Sequence, residues 1–183
     1  MMKIAHPYQG EGRWYRGNLH AHTSESPCGH VDLSELARAY RQFDYDFLCI
    51  SDHFYPTDLR DTLVEGLTLL PGVELKARNA HFLTVGVTEN LEYVAHGLPA
   101  GIKPYEDVER GGDYPEIAAL ARSRGGLTIA SHPHWREENY WSLAALAAIP
   151  DLTGLEIYNG HQIGRASWRE QVLISVVGGT LKK

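Results

Sequence analysis

Histidines close the apolar runs of this chain one after another, and that placement constrains the fold more than any other feature. Arg16-Gly17-Asn18-Leu19-His20-Ala21-His22 and Asp46-Phe47-Leu48-Cys49-Ile50-Ser51-Asp52-His53 read as two strands, each ending in imidazoles. Between them a helix is signalled. Asp32 caps it with Glu35 three residues on, Val31 and Leu36 can staple its entry, and Leu33, Leu36, Ala37 and Tyr40 form its apolar stripe.

The alternation continues. Thr57–Glu65 reads as a helix, Leu67–Glu74 as extended with a turn at Pro71-Gly72, and His81–Val87 as a strand. Residues 88–112 read as a long loop rich in acidic and turn-forming residues. Pro115 opens a helix carrying Ile117, Leu120 and Ala121, which Gly125-Gly126 ends. Leu127–Ser131 is the next strand, Ser142 caps a short Ala/Leu helix, and Gly154–Asn159 is the last clear strand. Strand-helix alternation of this kind predicts a largely parallel sheet covered by helices, either a barrel or an open doubly wound sheet. No internal repeat is present.

In such folds the C-terminal ends of parallel strands converge on the ligand-binding face. His20 and His22, two apart on an extended strand, point to the same side and can share one ion. Asp52, His53, Glu74, His81 and His132 stand at or near other strand ends. Imidazoles with a carboxylate and no thiolate set favour zinc, manganese or iron over a cysteine-based structural zinc site. The other reading of each residue is ordinary: hydrogen-bonded histidines, Asp52 as a cap after its strand, His134 as a loop histidine, Cys28 as an inert small side chain. His6, His96 and His161 read as plain polar residues, and Trp14, Trp135 and Trp141 as packing.

The order of the motifs is itself recognisable. Asn18–Thr23, Ser51–His53, Pro71–Glu74, His81-Phe82-Leu83, Ser131–Pro133 and Gly154–Asn159 together resemble the PHP superfamily, the polymerase-and-histidinol-phosphatase metallohydrolases. The resemblance spans about residues 12–161, so 1–161 is expected to be a PHP domain. It implies an α/β fold, an incomplete distorted (β/α)₇ TIM-like barrel, with two or three divalent ions (zinc, manganese or iron) at the strand ends. By motif, His20 and His22 resemble ligands of a first ion, and Glu74 a bridge to a second that His81 and His132 complete. His53 resembles a ligand of a third, whose further ligand has Cys28 and His30 as candidates. Asp52 is expected to orient a ligating histidine, Glu156 to support the site without ligating, and His134 to contact a phosphate or give a proton to the leaving group.

The implied reaction is hydrolysis of a small-molecule phosphoester by a hydroxide bridging the ions. The alternatives are carbamate, ester or amide hydrolysis at the same site, or a metal-binding domain without catalysis. Seventeen basic against twenty-three acidic side chains give a net charge of −6, which argues against binding duplex nucleic acid by phosphate neutralisation. No apolar run approaches the roughly 18 residues of a membrane span, and the polar start lacks a signal-peptide core; a cytoplasmic location is expected.

The resemblance stops at His161. The Asp-x-His expected near the end of the family pattern is absent, and a complete (β/α)₈ barrel needs about 250 residues against 183 here. Residues 162–183 resemble the translation of a sequencing-library adapter and are expected to be a non-native tail, which would leave this chain inactive. The alternative is a genuine helix and strand over Ala166–Val177 closing a smaller fold.

Overall fold

A computed structural model describes residues 12–53, 55–77, 80–89, 91, 114–133 and 141–156. His134, Trp135, most of the 88–112 loop, and the 162–183 segment lie outside them, as do His6, His96 and His161. The elements run in the order β1 (Gly17–Asn18), α1 (Leu33–Gln42), β2 (Phe47–Ile50), β3 (Thr68–Ala77), β4 (Ala80–Val85), α2 (Tyr114–Ser123), β5 (Leu127–Ala130), α3 (Leu143–Ala147) and β6 (Gly154–Leu155). The strands form one curled sheet in sequence order, a half-barrel within a mixed α/β fold.

Both helix caps follow the sequence. Asp32 accepts the Glu35 N–H at 2.9 Å, and Ser142 accepts the Ala145 N–H at 3.0 Å, each satisfying a donor that the first helical turn leaves open. Leu36, Ala37 and Tyr40 bury one face of α1 against Leu48 and Ile50 of β2. On α2, Ile117, Ala118 and Ala121 pack against Val73 and Leu75 of β3 and Phe82 of β4. Because side chains alternate across a strand, the residues between these positions face the other way. Cys49 there meets Leu83, Val85 and Ile129.

Three expectations are corrected. The sheet is parallel at β1–β2, β2–β3 and β5–β6, but β4 runs antiparallel to both neighbours. Only residues 78 and 79 separate β3 from β4, and a parallel return needs a crossover of a dozen or more residues. Pro71-Gly72 makes no turn, since β3 runs straight through it. Pro71 sits where pairing passes from Ile50 of β2 to Val85 of β4, a point at which its missing N–H interrupts no ladder. Gly72 fits there because a Cβ would meet the Cys49 thiol and the carbonyls of Thr84 and Ile50. Thr57–Glu65 forms turns and no helix. The Asp58 carboxylate takes the Arg60 N–H at 3.0 Å, a local bond that competes with helical pairing, and Leu63 points into solvent.

Candidate metal centre

The strand ends deliver their polar side chains to one place. Val73 and Leu75 pack under α2, so Glu74 between them projects from the opposite face, fully buried. His20 and His22 flank Ala21, which packs toward α1. His53 follows β2 and bridges to Glu74. His132 follows β5. His81 opens β4 instead of closing a strand, yet it arrives at the same rim because an antiparallel strand begins where its neighbours end.

Five imidazoles surround the single Glu74 carboxylate, and they divide between its oxygens. Oε1 lies 2.9 Å from His81 Nδ1 and 3.0 Å from His132 Nε2. Oε2 lies 3.0 Å from His22 Nε2, 3.2 Å from His20 Nε2 and 3.3 Å from His53 Nε2. His20 and His22 face each other through Nε2 at 3.0 Å. Behind His20, Glu156 places Oε1 3.3 Å from Nδ1 and takes the His132 N–H on Oε2 at 2.5 Å.

The electrostatics are those of a buried, highly coupled cluster. For Glu74, burial opposes ionisation, but the charge on His20 and the imidazoles of His132, His20 and His22 at hydrogen-bond distance override it and hold the carboxyl well below its usual range. Burial likewise opposes charge on His20, and the Glu74 and Glu156 carboxylates overturn it, raising the imidazole to about 10. Burial dominates at His53, with repulsion from His22, His81 and His20, and lowers it to about 4 despite Glu74. The cluster thus stabilises a proton on His20 while keeping His53 neutral. Five imidazoles cannot all be cations at this spacing, and a carboxylate offers about four lone-pair sites.

Four groupings among the described residues bring their ligand atoms within 4.8 Å of one another: His20–His22–Glu74, His53–Glu74–His81, His20–His132–Glu156 and His22–Cys28–His53. This nitrogen-and-carboxylate donor set fits divalent transition metals. Cys28, exposed, joins a grouping and His30 does not. Glu156, expected only to support, is also within ligand reach.

Asp52 is set back from the cluster. His22 Nδ1 stands 3.9 Å from its Oδ1. Its carboxylate accepts from Thr23 N, Thr23 Oγ1 and Ser26 Oγ, each at 2.7 Å, and from the Thr57 hydroxyl. Ser26 links it to His22, with Oγ 3.1 Å from His22 Nδ1. Sequence reasoning missed Ser26, Thr23 and Thr57; a serine in a polar turn carries no spacing signal that marks it.

Fold and donor set together define a mixed α/β protein with a buried imidazole–carboxylate centre able to hold divalent metal. No family profile and no curated protein matches the chain. Among solved structures it is similar to a protein from Bifidobacterium adolescentis inferred to be a metal-dependent phosphoesterase. The TM-score is 0.53 at 18% identity, over 81% of this chain and 79% of that one. The likeness is one of fold.

Proposed function

We propose that the chain carries the metal centre of a PHP-type metal-dependent hydrolase that acts on small-molecule phosphoesters. The observation that carries this is the division of Glu74, with His81 and His132 on one oxygen and His20, His22 and His53 on the other. On this reading Glu74 would be shared by two ions, with His20 and His22 available to hold one and His81 and His132 the other. His53 serves a third, with Cys28 the better placed of its two candidate partners. Zinc, manganese or iron suits these donors. The six strands are then the larger part of a distorted (β/α)₇ barrel, with the domain reaching residue 161 and residues 162–183 outside it.

Divalent ions bound here supply Lewis-acid charge that activates water and neutralises phosphoryl oxygens near neutral pH. The protein's own residues do the rest. Burial of Glu74, His20 and His132 limits the access of bulk water from that side, Glu156 orients His20, and Asp52 acts at one remove, through Ser26. His134 takes its role as phosphate contact or proton donor from the sequence alone. The local charge of such a centre makes an anionic substrate compatible with a net charge of −6. The bifidobacterial protein's assignment points the same way.

Substrate class is testable without assuming turnover. Inorganic phosphate should raise the thermal midpoint of the zinc- or manganese-loaded protein and leave the metal-free protein unchanged. Any hydrolysis should fall on aryl phosphates, and chelator should abolish it. Turnover confined to aryl carbamates or esters, or phosphate stabilisation that ignores metal, would overturn the phosphoesterase reading.

A further inference from the structure

We propose that Ser26 is a positioning residue, whose hydroxyl fixes the proton of His22 on Nδ1 and so presents Nε2 to the Glu74 centre. This rests on reading that centre as a metal site.

The argument is a count of protons and lone pairs. A serine hydroxyl has one proton and two acceptor sites. Ser26 Oγ, almost wholly buried, has three neighbours: Asp52 Oδ1 at 2.7 Å, the His53 backbone nitrogen at 2.9 Å and His22 Nδ1 at 3.1 Å. Asp52 is buried among donors. Its Oδ1 also takes the Thr23 N–H, and its Oδ2 takes the hydroxyls of Thr23 and Thr57. Ser26 Oγ donates to Asp52 Oδ1, so the Ser26 proton is committed to Asp52. The His53 N–H occupies one Ser26 lone pair. What faces His22 is the other lone pair, and it can only receive a hydrogen.

His22 Nδ1 must therefore carry the proton, whether the ring is neutral or cationic. The neutral ring then has its lone pair on Nε2, which lies 3.0 Å from Glu74 Oε2 and 3.0 Å from His20 Nε2. A bare nitrogen against a carboxylate oxygen is attractive only when a cation is shared between them. Hydrogen bonds to the far nitrogen of a ligating imidazole set its tautomer in this way in metal sites generally. The Ser26 backbone is itself pinned, donating to the Thr23 carbonyl and accepting from the Gly29 N–H, both at 3.0 Å. The hydroxyl is thus delivered by a fixed turn.

The test reads proton position directly. In protein labelled with ¹⁵N-histidine and loaded with Zn²⁺, long-range proton–nitrogen spectra should show His22 Nδ1 as the protonated nitrogen and Nε2 as the zinc-bound one. Ser26→Ala should mix the His22 tautomers and weaken zinc binding at least tenfold. Ser26→Thr, which keeps the hydroxyl, should restore the Nδ1–H form. Zinc on His22 Nδ1 in the wild type would overturn the proposal, as would a Ser26→Ala protein with an unchanged tautomer and zinc affinity. Failure of the wild type to bind zinc would instead overturn the metal reading. Ser26 would then be judged on the metal-free neutral ring at alkaline pH, where Nδ1–H is again expected and Nε2–H would refute it. Should Ser26→Ala fail to fold, the wild-type and Ser26→Thr spectra still decide the matter.

Discussion

The Glu156 carboxylate accepts the backbone N–H of His132 at 2.5 Å, at a residue whose φ is +27°. A non-glycine residue in that region costs about 1–3 kcal/mol, so the surrounding structure must hold it there. Glu156 does so from the end of β6 while its other oxygen faces His20, tying together two imidazoles that are far apart in sequence.

Glu156→Ala should therefore destabilise the metal-free protein. It leaves a buried N–H without its acceptor, at about 1–3 kcal/mol, and each kcal/mol corresponds to roughly 2–4 °C in thermal midpoint at this size. Glu156→Gln keeps an acceptor oxygen and should recover most of the loss. Metal affinity should fall about 10–100-fold in the alanine variant. Thermal melts and equilibrium dialysis check both statements, and a wild-type midpoint for Glu156→Ala would refute the clamp.

Glu74→Gln removes the charge around which five imidazoles gather. Bound metal, measured by elemental analysis after dialysis, should fall toward zero and not by a single ion, because both halves of the centre share this carboxylate. The His20 imidazole should lose its upward shift, since burial then acts on it with Glu156 alone in opposition. An NMR titration of the metal-free variant reads this directly; an unchanged His20 would contradict the coupling.

Metal binding should release a proton. His20 is raised from 6.5 to about 10, so the metal-free protein holds it protonated at pH 7, and a ligating imidazole must be neutral. His53, lowered to about 4, contributes none. Apparent zinc affinity should rise about tenfold per pH unit above 7, seen as buffer-dependent heat in titration calorimetry. In the metal-free protein the sign runs the other way. Stability from the raised His20 is complete below 6.5 and is lost as pH climbs through about 10. Affinity flat between pH 7 and 9 would refute this coupling.

The two thiols should behave differently toward a thiol reagent. Cys49 is buried in the sheet and burial pushes it up to about 12, so it should react only on unfolding. Cys28 is exposed, with burial of its thiol and the Glu74 charge raising it, and should react in the native protein. If it completes a site with His22 and His53, zinc at saturation should slow that reaction at least tenfold. Equal rates with and without zinc would remove Cys28 from the ligand set.

Much of this centre is legible in the sequence because local chemistry and period agree. Asp32 and Glu35 mark the start of α1, and Leu36, Ala37 and Tyr40 are its buried face. Imidazoles at the ends of apolar runs announce the rim. The direction of β4 was also within reach, since the interval between Glu74 and His81 is too short for a parallel crossover. Pro71-Gly72 misleads because turn composition and a strand handover look alike until the partners are known. Ser26 could not be read at all. Its importance lies in three contacts, to Asp52, His53 and His22, from segments that only the fold brings together.

The central claim, that Glu74 is shared by two metal ions, is tested most directly by a crystal structure of the zinc-soaked protein with diffraction recorded at the zinc edge. The account predicts an anomalous peak on each side of the carboxylate, one within about 2.0–2.2 Å of Oε2 and the His20 and His22 nitrogens, the other similarly close to Oε1, His81 and His132. A single peak away from Glu74, or none at full zinc occupancy elsewhere, would contradict it.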